Sequence, residues 1–338
     1  VLTDSQLETP EASDDAAWLR KGLEYYDDTG LTDAERHYLD GDAPSVSEWS
    51  GGEDWEQWLT EAMEKLPEPG VEVDDHKGTP IGEGESLGLV AAEMVMNKDQ
   101  VSKLPEEFQS GLFQACPAAG CPKWPVGLRI SHTNAGVDLT RFALKVGTED
   151  GEIDLTFTET LKSFPIANKE QLKAFAFSVK FGKIAALLKY PKELGALTLN
   201  AVKDTAAAKD ASEKYAAVSK DYYSLTPYLI GGHGAGQRPG AMKYRLVPTS
   251  AREPFPDKGE IEEQGFKKTM RDQAAKHMAA ASHSFSFEIQ VATQASKQPL
   301  NDANAEWDEK TAPWVKMGTV TIPKQDFTQP VSVANVVG

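Results

Sequence analysis

Cysteine is almost absent from this 338-residue sequence: there are two, Cys116 and Cys121, enclosing Pro-Ala-Ala-Gly. Two thiols with no Cys or His partner nearby fall short of the four ligands that structural zinc uses, which argues against a metal site there. The pair reads either as a small-loop disulfide, which needs an oxidising compartment, or as two free thiols. Long apolar runs are also missing; none approaches the roughly 18 residues of a membrane helix, so no membrane span is expected. No H-E-x-x-H, nucleophile elbow or paired-cysteine zinc signature occurs. Gly231-Gly232-His233-Gly234-Ala235-Gly236 has no phosphate-loop lysine at the right spacing, so it reads as a loop.

Positive charge is scarce at one end. Residues 1–75 hold 22 Asp and Glu against 4 Lys and Arg, a net of −18, so the remainder of a chain of net charge −17 is close to neutral. Nucleic acid would be repelled by the acidic end and would find no basic stripe elsewhere, so that class of partner is not expected. The acidic stretch reads as a solvated, solubilising surface or as a docking surface for a basic partner. The composition is that of an ordinary globular protein. It leaves self-association open, and it leaves the compartment, periplasmic, secreted or cytoplasmic, undecided.

What is present is an ordered series of short elements. Residues 1–70 read as an acidic helical arm, with apolar residues at helical spacing in Trp18, Leu19, Leu23 and Tyr26, and again in Trp55, Trp58, Leu59 and Met63. Pro67 and Pro69 end it, and residues 71–338 follow as the body. Strands are expected at Leu87–Met96, Val126–Ser131, Arg141–Val146, Ile153–Thr158, Ala241–Val247, Ser284–Val291 and Val315–Ile322. A helical turn is expected near Pro105–Leu112, and helical periodicity at 169–189 and 257–281. The Ala- and Lys-rich stretch 201–221 reads as a solvent-facing helix. His277 and His283 flank a helix end that either could cap. Helical arm, sheet, helices, sheet is an α+β order, and strands this closely spaced favour an antiparallel sheet or barrel.

Several of these segments resemble one family in its own order. The strand at Ser284–Val291, then Pro299-Leu300-Asn301-Asp302 through Trp307-Asp308-Glu309, then Ala312-Pro313-Trp314-Val315 and Thr321-Ile322-Pro323, is similar to the catalase-like superfamily of haem proteins. The small bacterial members carry a comparable P-x-E-D-A-x-x-E-W-x-E run. Leu128-Arg129-Ile130-Ser131 resembles the V-R-F-S strand of catalases. Asp138 with Phe142-Ala143-Leu144-Lys145 resembles D-x-R-G-F-A-x-K-F, and Glu149 to Leu155 resembles E-E-G-N-W-D-L. Tyr223 to Tyr228 with Ala241 to Pro248 is similar to Y-S-x-x-P-Y followed by A-V-K-Y-S-L-x-P, and Val333 to Gly338 is faintly like S-P-A-N-V-V-P. The likeness covers roughly residues 110–338.

This resemblance implies a catalase-like antiparallel β-barrel wrapped by helices, and a haem iron acting on hydrogen peroxide or an organic hydroperoxide. In such an enzyme an axial ligand holds the iron, a distal group moves the peroxide proton between oxygens, and cations hold the propionates. On the matching positions, His76 of His76-Lys77-Gly78 would be the acid-base group, Ser131 would orient it, and Arg129 would meet a propionate. The sequence also departs from the pattern. About seven extra residues separate His76 from the next strand, and the family's distal Asn falls on the Thr158–Phe164 stretch, which has none. The Arg of R-G-F-A is Thr140, with Arg141 one position late and so on the opposite face of its strand. The family's axial ligand is a Tyr in a C-terminal helix that would lie past Gly338, and no Tyr follows Tyr244 here, so either the natural chain continues or the usual ligand is absent. These departures imply the alternative of a degenerate member without haem or turnover, serving as a ligand-binding or structural protein.

Overall fold

The computed structural model describes residues 85–134, 138–149, 151–159, 162, 166–181, 183–199, 215–230, 240–254, 261, 265–292, 297–300 and 302–326. The expected acidic arm at 1–70, His76, His233 and the C-terminal segment from Val333 lie outside these residues. Among the described residues there are nine strands: β1 (Glu85–Met96), β2 (Lys123–Asn134), β3 (Asp138–Thr148), β4 (Gly151–Glu159), β5 (Tyr222–Tyr223), β6 (Tyr228–Ile230), β7 (Gly240–Pro248), β8 (His283–Val291) and β9 (Trp314–Ile322). All pairings are antiparallel. The spatial order is β5-β4-β3-β2-β1-β9-β8-β7-β6, and β5 also pairs with β7. That extra pairing closes eight strands into a barrel, and β6 follows β5 along the same edge of β7.

Alternation decides which side chains face inward. Val126, Leu128 and Ile130 of β2, Phe142, Leu144 and Val146 of β3, and Phe285, Phe287 and Ile289 of β8 are all buried in one core cluster. The rings fill the barrel. Phe142 stacks on Tyr222 with centroids 3.9 Å apart and meets Phe285 edge-on at 5.8 Å. Tyr244 meets Phe157 at 4.9 Å and Tyr228 at 4.9 Å. Eight strands enclose about enough room for side chains or one small ligand, and here side chains take the space.

Gly151, at φ +125°, makes the tight β3–β4 turn, where the Thr148 hydroxyl donates to the Gly151 carbonyl. Gly318 answers a different need: a Cβ there would sit 2.7 Å from the Val95 carbonyl oxygen, so only glycine lets β9 approach β1 this closely.

Helices are few among the described residues: α1 (Lys98–Val101), α2 (Lys169–Phe181), α3 (Lys183–Lys189), a helical run at 191–199, and α4 (Phe266–Ala280). The expected turn at 105–112 is a pair of 3-10 turns, Glu106–Phe108 and Gly111–Phe113. Cys116 and Cys121 are bridged. In α4 the residues Met270, Ala274 and Met278 lie four apart, so one stripe packs on the barrel core. Past the end of that helix, at Ala281, the His283 Nε2–H donates to the His277 carbonyl at 3.1 Å.

One expectation fails on the residues that can be compared. The helix proposed for 201–221 lies outside the described residues up to 214, and 215–221 is not a solvent-facing helix. Ala216 to Lys220 are buried around a 3-10 turn, Ala217–Ser219. Lys220 is only 1% exposed and forms a 2.6 Å ion pair with Glu159, which is 0% exposed. Burial pushes the Glu159 carboxyl above its ordinary range, against the opposing pull of Lys220 and Thr140. A composition of Ala and Lys reads as exposed helix, and the carboxylate that lets Lys220 go inside is 61 positions away.

Candidate functional site

Because the interior is packed, the outward-facing side chains are where chemistry can occur. Arg129 and Ser131 are two residues apart on β2 and therefore share the face opposite to Leu128 and Ile130. Ser131 is buried and Arg129 half-buried. Strand register carries this face sideways: Ser131 lies opposite Arg141, Arg141 opposite Thr158, Thr158 opposite Tyr223, Tyr223 opposite Arg245, and Arg245 opposite Glu288. A second row starts at Arg129, which lies opposite Leu89 and Ala143, while Ala143 lies opposite Thr156. Directly opposed residues have Cβ atoms within about 5.5 Å, so each row is a continuous strip.

The displaced arginine behaves as alternation requires. Thr140 points inward beside Glu159, fully buried, whereas Arg141 stands on the outer face next to Ser131. Two guanidinium-bearing residues therefore flank Ser131, one on its own strand and one on the neighbouring strand. Thr158, which opens the segment matched to the family's distal Asn, lies in the same row as Ser131 and is buried. Gly127 and Ala143 add little bulk beside Arg129, leaving a shallow strip between larger residues.

Further round, the row becomes a network of paired charges. The Arg245 Nε and Nη2 groups donate to Glu288 Oε2 at 2.8 and 2.7 Å, and its guanidinium lies 4.4 Å from the Trp314 ring centroid. Tyr223 packs edge-on against Trp314, and burial together with the Asp221 charge raises its phenol above the ordinary value. Lys162 pairs with Glu309 at 3.1 Å. Burial works against the charge on Lys162, but Glu309, Tyr223 and Glu306 outweigh it and hold the ammonium proton more tightly.

The acidic segment that carries the family likeness has a structural task. Lys243 is buried on the outer face of β7, and its ammonium donates to the carbonyls of Ala305 at 2.8 Å and Lys162 at 3.4 Å. Gln290, its neighbour on β8, donates to the carbonyls of Trp307 at 3.1 Å and Ala312 at 2.6 Å. Together they strap residues 305–312 over β7 and β8. Burial lowers the Lys243 pKa to about 8, with Glu306 and Asp302 opposing the shift.

Of the three residues singled out in the sequence, the fold brings Arg129 and Ser131 together, and His76 is outside the described residues. Arg141, Tyr223, Arg245 and Glu288 were not singled out as site residues. The alternation of Phe142 and Leu144 marks the face of Arg141, but nothing local aligns β4, β5 and β7. Among the described residues, no group of three or more His, Cys, Asp or Glu side chains is placed to hold a metal ion. No described helix is long and apolar enough to cross a membrane. For a haem, the face offers cationic and hydroxyl groups, but residues 245–338 contain no tyrosine to bind iron.

No family model matches the sequence, and no curated protein matches it either. Solved structures do. A bacterial catalase aligns with a TM-score of 0.51 at 16% identity, over 72% of this chain and 48% of its own. A fungal catalase aligns with a TM-score of 0.52 at 13% identity, over 74% of this chain and 50% of its own. The chain spans about half the length of these catalases. At such identities the likeness is one of architecture: the chain has the catalase-like fold, an eight-stranded antiparallel barrel with a few helices.

Proposed function

We propose that this chain is a haem-dependent protein that processes hydrogen peroxide or an organic hydroperoxide on the outer face of β1–β4. The observation that carries the reading is the pairing of Arg129 and Ser131 on one outward face of a catalase-like barrel whose inside is filled with rings. In this reading the Arg129 guanidinium meets a propionate, and the low bulk of Gly127 and Ala143 lets a flat ring lie close to the sheet. A bound haem would supply the iron at which a peroxide O–O bond is broken. His76 would accept the proton from one peroxide oxygen and return it to the other, and the Ser131 hydroxyl would fix the imidazole's orientation. The iron's protein ligand is not found among residues 245–338, so no step at the metal is assigned to a residue.

A second reading is that the barrel is kept while haem and turnover are lost. Arg141 on the Ser131 face, and the absence of an Asn from the stretch that starts at Thr158, favour it. The barrel then serves as a ligand-binding or structural protein. Titration of the purified full chain with haemin separates the two. The first reading expects a saturable Soret band near one equivalent, weakened in Arg129→Ala, with peroxide consumption falling by about 10²–10⁴ in His76→Ala. A preparation that stays colourless and leaves peroxide untouched establishes the second.

A further inference from the structure

One surface lies apart from the barrel face. In and after α3, Ile184, Leu187, Leu188 and Leu199 are 79%, 54%, 82% and 70% exposed. Positions 184, 187 and 188 stand at i, i+3 and i+4, so they form one side of the helix. Scattered apolar residues are normal on a surface, whereas large aliphatics clustered on one helix side mark an interaction surface. Exposed Lys189 and Lys192 border it, and residues 180–199 contain four Lys against one Glu. The surface is apolar with a cationic rim.

The same chain contains a sequence of the complementary kind. Trp18, Leu19, Leu23 and Tyr26, and then Trp55, Trp58, Leu59 and Met63, recur at helical spacing among carboxylates, within a 75-residue stretch of net charge −18. We propose that the acidic stretches within residues 13–66 dock on this chain's own 184–199 surface, aromatic and aliphatic groups together and carboxylates toward Lys189 and Lys192. Charge decides against two other occupants. An anionic bilayer would repel a chain carrying −17, and a second copy stacked face to face would set lysine against lysine. Reach is no obstacle. The 18 residues from 67 to 84 can extend about 60 Å, whereas a body of this size has a radius of gyration of about 18 Å.

Zero-length carbodiimide crosslinking of the full chain at low salt, with the linked peptides mapped by mass spectrometry, tests this. The expected result is a set of links from Lys189 or Lys192 to carboxylates within residues 13–66, in the monomer band. Those links should drop several-fold in 0.5 M salt and in the Leu187→Ser/Leu188→Ser variant, whose altered side chains are exposed and leave the barrel core alone. An even spread of links over distant exposed lysines such as Lys123 and Lys324 overturns the proposal. Links found only in a dimer band, or no links together with flotation on anionic vesicles, overturn it as well.

Discussion

The two faces of β2 are built from the same twelve residues and hold opposite kinds of information. Inward, Val126, Leu128 and Ile130 are interchangeable in kind with other aliphatics, and their job is to fill volume. Outward, Arg129 and Ser131 stand on the face where we propose that a ligand is held, so their replacement should tell on binding first. Tolerance of substitution should therefore alternate along the strand: swaps of similar volume are cheap inside, and swaps of similar stability are costly to function outside.

The largest effects are expected where the interior is damaged. Phe142→Ala removes a ring stacked on Tyr222 and edge-on to Phe285 and should cost about 3–5 kcal/mol in urea unfolding. Glu159→Ala should cost a similar 3–5 kcal/mol because it strands Lys220. The Glu159→Leu/Lys220→Met double variant should recover most of that loss. A recovery of nothing would mean that the pair is valued for geometry and not charge.

Lys243 sits between the two regimes, buried yet on the outer side. Its folded pKa of about 8 lies below the usual 10.5, so between those values the unfolded chain binds a proton that the folded chain lacks. Stability should thus rise from about pH 8 toward pH 10, by at most about 3 kcal/mol. The raised phenols of Tyr222 and Tyr223 reverse the trend above pH 10. Urea midpoints at pH 7.5 and 9.5 should differ for the natural chain and converge in Lys243→Met.

Arg129→Gln should lower unfolding stability by about 1 kcal/mol or less, well below the loss in Phe142→Ala. If the chain holds haem as proposed, the same change should weaken haemin binding by roughly 10- to 100-fold, the worth of one charge-assisted hydrogen bond. A loss of stability comparable to that of Phe142→Ala would erase the distinction between the two faces. At the bottom of the scale, Lys145→Ala opens exposed pairs with Glu152 and Asp154 and should change stability by less than about 1 kcal/mol.

Most of the barrel was legible because period-two alternation is local. Ser284 to Val291 states its own inward face, and the observed strand begins one residue earlier, at His283. The elements that were missed are those without a period. Tyr222 and Tyr223 form a strand of two residues, and Tyr228–Ile230 one of three. Lys220 reads as solvent-facing in the sequence because its burial depends on a carboxylate 61 residues away. At the candidate site, Arg129 and Ser131 were legible as neighbours, whereas the row from Thr158 through Tyr223 to Arg245 depends on register between residues 65 and then 22 positions apart. The segment rich in Asp and Trp after β8 was legible as a family marker, but its strapping by Lys243 and Gln290 required the fold.

Closure of the cylinder rests on the two residues of β5, which bridge β4 on one side and β7 on the other. Every other junction in the ring is longer, four to ten pairs against two. Amide protons at Thr158, Tyr222, Tyr223 and Arg245 should therefore exchange with deuterium before those of β2 and β3, as a zip fastener parts first at its shortest run of teeth.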